Sequence, residues 1–125
     1  MTKCQYIRES DLPPLASASE VAQIRAACDQ RATASLGYSA KQSITRWQIP
    51  EVQLRSAIIR HINAGKRMFH KFADDGSGKL LPGHVQANVT LSVGPDIYVE
   101  VVLMENSMVI IYAHEHTLGK FRLPQ

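Results

Sequence analysis

Cysteine, aromatic residues and long apolar runs are all scarce in this chain, and each scarcity removes a class of protein. Its 125 residues include two cysteines and one tryptophan, and aromatics make up 6%. Cys4 and Cys28 are too few for the disulfide framework of a small secreted domain. Nowhere do about 20 apolar residues follow one another, so no membrane-spanning helix is expected. Met1-Thr-Lys-Cys-Gln-Tyr-Ile-Arg-Glu9 carries no apolar run of the signal-peptide kind. The expectation is therefore a cytoplasmic protein with reduced thiols, although toxin domains carried by large secretion systems also lack a signal of their own. Several chemical motifs are missing as well. There is no dinucleotide fingerprint, no zinc-finger spacing and no nucleophile elbow around Ser92 or Ser107. Gly76-Ser-Gly-Lys79 echoes the end of a phosphate loop, but Leu80-Leu-Pro82 follows where a helix is needed. Asp74-Asp-Gly-Ser-Gly78 lacks the carboxylate spacing and closing glutamate of a calcium loop, and reads as a turn.

What is present is an ordinary globular composition, 45% apolar and 20% charged, in a length that fits one domain with its own core. The net charge of +3 permits a polyanionic partner without requiring one. Arg55, Arg60, Lys66, Arg67 and Lys71 crowd into one stretch with His61 and His70. That stretch reads either as a solvated helix face or as a surface for nucleic acid.

Residues 1–16 form a lead-in, where Pro13-Pro14 disfavours helix. Ser17-Ala-Ser-Glu20 has the capping-box spacing, and Val21, Ile24 and Cys28 continue at helical intervals toward a stop at Leu36-Gly37. Tyr38 to Ile49 reads as a loop or a short extra turn, with Trp47 at the edge of the core. A second helix starts near Pro50, striped by Leu54, Ile58 and Ile62 and ended by Ala64-Gly65. Met68 to Phe72 reads as a short strand or a continuing helix.

From His84 to His116 the pattern becomes a three-stranded antiparallel meander. Val85, Ala87, Val89, Leu91 and Val93 alternate with His84, Gln86, Asn88, Thr90 and Ser92, so one face packs inward and the other looks out. A three-residue connection at Gly94-Pro-Asp96 sets Val93 opposite Ile97. A three-residue loop at Glu105-Asn-Ser107 pairs Met104 with Met108 and turns Val109, Ile111 and Ala113 inward, whereas a two-residue loop would reverse that assignment. The expected fold is a single α+β domain: two helices (residues 17–64) packed on one face of a three- to four-stranded antiparallel sheet (residues 67–125).

All five histidines lie between positions 61 and 116. Imidazole exchanges protons both ways near neutrality, so histidine and carboxylate pairs beside a cation can cleave RNA without a metal or other cofactor. His84, Glu100 and His114 are the candidate proton-transfer groups if they share the outer sheet face. Arg60, Lys66, Arg67, Lys71 and Lys120 are the candidate contacts to RNA. Each histidine has a plainer reading as a polar residue on a half-exposed strand. His114-Glu-His116 also fits two ligands of a metal site, but a third would have to come from elsewhere, and no metal is assigned.

Ile97-Tyr-Val-Glu-Val-Val-Leu103 and Met108-Val-Ile-Ile-Tyr-Ala113, after two helices, resemble the closing hairpin of the barnase–EndoU–colicin–RelE group of small ribonuclease toxins. The likeness covers roughly the last two-thirds of the chain. It implies metal-independent cleavage of tRNA or mRNA and a cognate antitoxin or immunity protein. Two departures stand out: only His61 and His70 precede the sheet, and Ile111-Tyr112 stands where a threonine often ends the last strand. A rival reading is a non-catalytic binding protein, such as a phage inhibitor, an immunity protein or an oligomeric accessory domain. It would use the open sheet face, or an outward Val102–Met104–Ile110 strip, as an interface with a partner or a second copy.

Overall fold

A computed structural model describes residues 6–92, 96–116 and 122–125. After a 3-10 turn at Glu9–Asp11, the chain runs α1 (Ala18–Cys28), β1 (Ala34–Leu36), α2 (Tyr38–Trp47), α3 (Glu51–Asn63), β2 (Phe69–Phe72), β3 (Leu80–Thr90), β4 (Asp96–Leu103) and β5 (Val109–His114). The sheet has five strands in the order β1-β5-β4-β3-β2. It is α+β as expected, but larger: a third helix is present, and β1 lies parallel to β5 in an otherwise antiparallel sheet.

The capping box at the start of α1 is formed. Glu20 N donates to Ser17 Oγ at 3.2 Å, and Ser17 N donates to Glu20 Oε1 at 2.8 Å. The helix stops at Cys28 rather than continuing to Leu36, because the Thr33 hydroxyl turns back onto the Ala27 and Gln30 carbonyls. This turn releases Ala34–Leu36 to pair with Val109–Ile111. Residues 38–47, expected as a loop, are helical because Ala40, Ser43, Ile44 and Trp47 give α2 a buried stripe at helical spacing. The small side chains at Ala40 and Ser43 hide that stripe from a hydrophobicity reading. Pro50 caps α3, which buries Leu54, Ala57, Ile58 and His61 and gives way to Gly65 at φ +73°.

The main core lies between α1, α3 and one sheet face. Ile24, Cys28, Leu54 and Ile58 meet Val85, Ala87, Val99, Val101, Ile111 and Ala113 there. The β4–β5 loop has the three-residue form, with Met104 N donating to Met108 O at 2.8 Å and Asn106 and Ser107 at φ 60° and 61°. Val109, Ile111 and Ala113 are accordingly buried. At the other connection the register differs: Ile97 lies opposite Val89, and Thr90 opposite Asp96. Val93 is thus not its partner, and Val93 itself lies outside the described residues. The slip is an even number of positions, so every side chain keeps its face.

The second face is less open than alternation implies. Asn88 is completely buried, with Nδ2 donating to Leu123 O at 2.9 Å, while Gln125 Nε2 donates to Asn88 O and to Thr90 Oγ1. Residues 122–125 therefore cover that end of β3, and Leu123 and Phe69 are both buried there, outside the main core. Pro14 O and Ala16 N bond to His70 N and Met68 O, which shields the outer edge of β2. Among the described residues no helix is long and apolar enough to cross a membrane.

Candidate active site

Strand register sorts the second face into three rows: His84–Val102–Ile110, Gln86–Glu100–Tyr112 and Asn88–Tyr98–His114. Glu100 sits at the centre and collects three donors. Lys71 Nζ donates to Oε1 at 2.8 Å, His84 Nδ1 donates to Oε2 at 2.6 Å, and the Tyr98 hydroxyl lies 3.1 Å from Oε1. That hydroxyl is also 3.1 Å from Gln86 Oε1, and Gln86 Nε2 donates to His70 O at 2.9 Å, which fixes the amide. Lys71 lies two positions after Phe69, whose partner Gln86 is on this face, so strand alternation turns its side chain toward Glu100.

The electrostatics follow from this packing. Glu100 is 13% exposed, Lys71 24% and His84 30%, so the cluster is half-closed with its imidazole outermost. Burial pushes the Glu100 carboxyl upward, but the hydrogen bonds from Lys71, His84 and Tyr98 outweigh it and hold the group below the usual carboxylate range. Burial, reinforced by the Glu100 charge, raises the Tyr98 phenol, which stays protonated. An ionised carboxylate can only accept, so the proton between His84 and Glu100 resides on Nδ1. With that proton on Nδ1, it is Nε2 that is left to exchange a proton with a ligand, the arrangement that makes an imidazole a positioned base.

His114 is set apart from this group. It lies two strands and two rows from His84, about 10 Å across the sheet and about 13 Å along it. Its ring stacks on Tyr98 with centroids 4.8 Å apart and an interplanar angle of 28°, and Nδ1 donates to Glu115 O at 2.8 Å. The structure brings His84, Glu100 and Lys71 together, and Tyr98 links His114 to them. Tyr98 and Gln86 are the site residues that sequence reasoning passed over. Their signal was positional, since both share a face with Glu100.

The other cationic candidates do not form one track. Arg67 reaches Glu9 with both terminal guanidinium nitrogens, at 2.9 and 3.1 Å, while lying over the Phe69 ring. Lys66 donates to Gln125 Oε1 at 3.1 Å. Arg60 and Lys66 border a small cavity of about 230 Å³ at the far end of β3, beside Thr90 and Ser92. Lys120 lies outside the described residues. His116, the other half of the conceivable metal pair, donates from Nε2 to Asn88 Oδ1 at 3.1 Å, and among the described residues no three His, Cys, Asp or Glu side chains gather as a ligand set. Cys28 is enclosed in the core, where burial pushes its thiol up to about 12 and leaves no thiolate for chemistry.

Beside the His84 row, at the β4–β5 loop, an apolar groove of about 690 Å³ runs between Leu36, Leu103, Met104, Met108, Ile110 and Tyr112. No family model matches the chain, and neither does any curated protein or any solved structure.

Proposed function

We propose that this chain is a metal-independent endoribonuclease, with His84 as the base and Lys71 as the electrostatic partner. The observation that carries the reading is the His84–Glu100–Lys71 cluster: one carboxylate orients an imidazole through Nδ1 and places an ammonium beside it. In the reaction, His84 Nε2 takes the proton of an RNA 2′-hydroxyl. The 2′-oxygen forms a bond to phosphorus while the bond to the 5′-oxygen breaks, leaving a 2′,3′-cyclic phosphate. The departing 5′-oxygen takes a proton from solvent. Lys71 has three N–H donors and gives one to Glu100 at 2.8 Å, so its others can meet the phosphorane oxygens. Glu100 is a positioning residue, fixing the tautomer and aim of His84. A nuclease of this kind calls for a cognate antitoxin or immunity protein in the cell that makes it.

Incubating the purified protein with total RNA in EDTA is the test. Cleavage to cyclic-phosphate ends, abolished by His84→Ala and reduced by Lys71→Met, is the expected result. Intact RNA would end the proposal.

A second reading, a protein-binding module, is favoured by the apolar groove and by the half-buried Val102 and Ile110 beside it. Bacterial expression separates the two readings. The nuclease should arrest growth unless its partner is present, whereas a binding module should be tolerated, and size-exclusion chromatography would show whether the strip pairs two copies.

A further inference from the structure

We infer that His114 is a stacking platform for a nucleobase, and that the substrate of this site is an unpaired RNA strand; this inference rests on the nuclease reading above. One face of the His114 ring is taken by Tyr98 at 4.8 Å, yet the residue is exposed, so the opposite face is what solvent and ligands meet. The ring is also held in place. Its Nδ1 donates to Glu115 O, and the Glu115 carboxylate is itself gripped by Trp47 Nε1 at 2.7 Å and Arg46 Nε at 3.5 Å. A flat side chain backed by a second ring and fixed at its edge adds a base to the stack without first having to be ordered.

The placement fits a strand running across the sheet. His114 and His84 occupy opposite corners of the same face, about 16 Å apart by strand spacing and rise, with Tyr98 and Glu100 between them. In the His114 row, Asn88 is covered by residues 122–125, so His114 is the exposed part of that row. A duplex keeps its base faces inside its own stack and offers none to a side chain, whereas an unpaired strand splays its bases and stacks them on aromatic or imidazole rings. His114 therefore reads as a substrate-positioning group and not as the second proton-transfer group.

The experiment uses a short unstructured fluorescent RNA, alone and annealed to its complement. Binding is measured by anisotropy in the His84→Ala background, and cleavage in the otherwise unchanged protein. The single strand should bind at least about tenfold more tightly than the duplex, and His114→Ala should weaken its binding about tenfold. His114→Phe, which keeps a flat ring and removes the ionisable nitrogens, should restore most of that loss. In cleavage, His114→Ala should raise KM and leave kcat and the pH profile in place. Equal binding of strand and duplex, equal losses for Ala and Phe, or a fall in kcat with an altered pH profile would each overturn the inference. Single-strand binding with His114 dependence but no cleavage would uphold the platform and overturn the nuclease reading.

Discussion

Glu100→Gln keeps the shape of the side chain and removes only its charge, which makes it the sharpest perturbation of the cluster. In the folded protein the carboxylate accepts from Lys71, His84 and Tyr98 while only 13% exposed. A glutamine offers one accepting oxygen and turns an NH2 toward groups that are themselves donors. Hydrogen bonds to a charged group contribute about 1.5–3 kcal/mol each, and part of that is recovered by the remaining oxygen, so the expected loss at pH 7 is about 2–3 kcal/mol. For a chain of this size that lowers Tm by about 10 °C. The sign with pH is fixed by the direction of the carboxyl shift. Its folded pKa lies below the usual value, so the stabilisation is full above the unfolded pKa of about 4.3 and is lost as pH falls through the folded value. Thermal or urea denaturation of both proteins should show the gap at pH 7 and its narrowing below pH about 4. RNA cleavage, measured alongside, should fall by about 100-fold or more. A gap under about 0.5 kcal/mol at pH 7, or one unchanged in acid, would refute the idea that ionised Glu100 organises the face.

Gly37→Ala should destabilise by about 1–3 kcal/mol, because a Cβ there would run into the Tyr112 ring; chemical denaturation is the measurement, and an unchanged midpoint would contradict that packing. Removing the α1 cap with Ser17→Ala should cost about 1 kcal/mol in the same assay. Cys28 should resist alkylation in the native protein and react only after denaturation, as read by mass spectrometry of its peptide; rapid native labelling would mean that the core opens there. Asn88→Leu should loosen residues 122–125, because Nδ2 no longer holds Leu123 O and Oδ1 no longer accepts from His116, and limited proteolysis should then cut at that segment first.

How much of this was legible in the sequence depended on whether the signal was local. The meander could be read because buried and outward residues alternate over β3, β4 and β5, but the loop at Glu105-Asn-Ser107 stayed open between two and three residues, since both faces of β5 carry apolar side chains. β1 could not, since Ala34-Ser-Leu36 is too short to show a period and its partner lies near the other end of the chain. α2 was hidden by the small size of Ala40 and Ser43. At the site, the sharing of one face by His84 and Glu100 was legible, but the expected pairing of Val93 with Ile97 would set Glu100 opposite Thr90, and only the observed pairing with Gln86 brings it beside His84. The covering of Asn88 by residues 122–125 is a tertiary event, and no strand periodicity announces it.

The parallel pairing of β1 with β5 sets an order on folding. Hairpins β3–β4 and β4–β5 join residues close in sequence and can form early at small entropic cost. Leu36 cannot meet Ile111 until α2, α3 and all four later strands have been made. Ser43 Oγ, which donates to Ala113 O at 2.8 Å, and Gly37 N, which donates to Ile111 O at 2.7 Å, wait on the same event. By the same loop-closure argument the first third of the chain should be fastened to the last strand late, leaving the edge of β5 unpaired until then, and pulsed hydrogen exchange should find the Gly37 amide protected after those of β3 and β4.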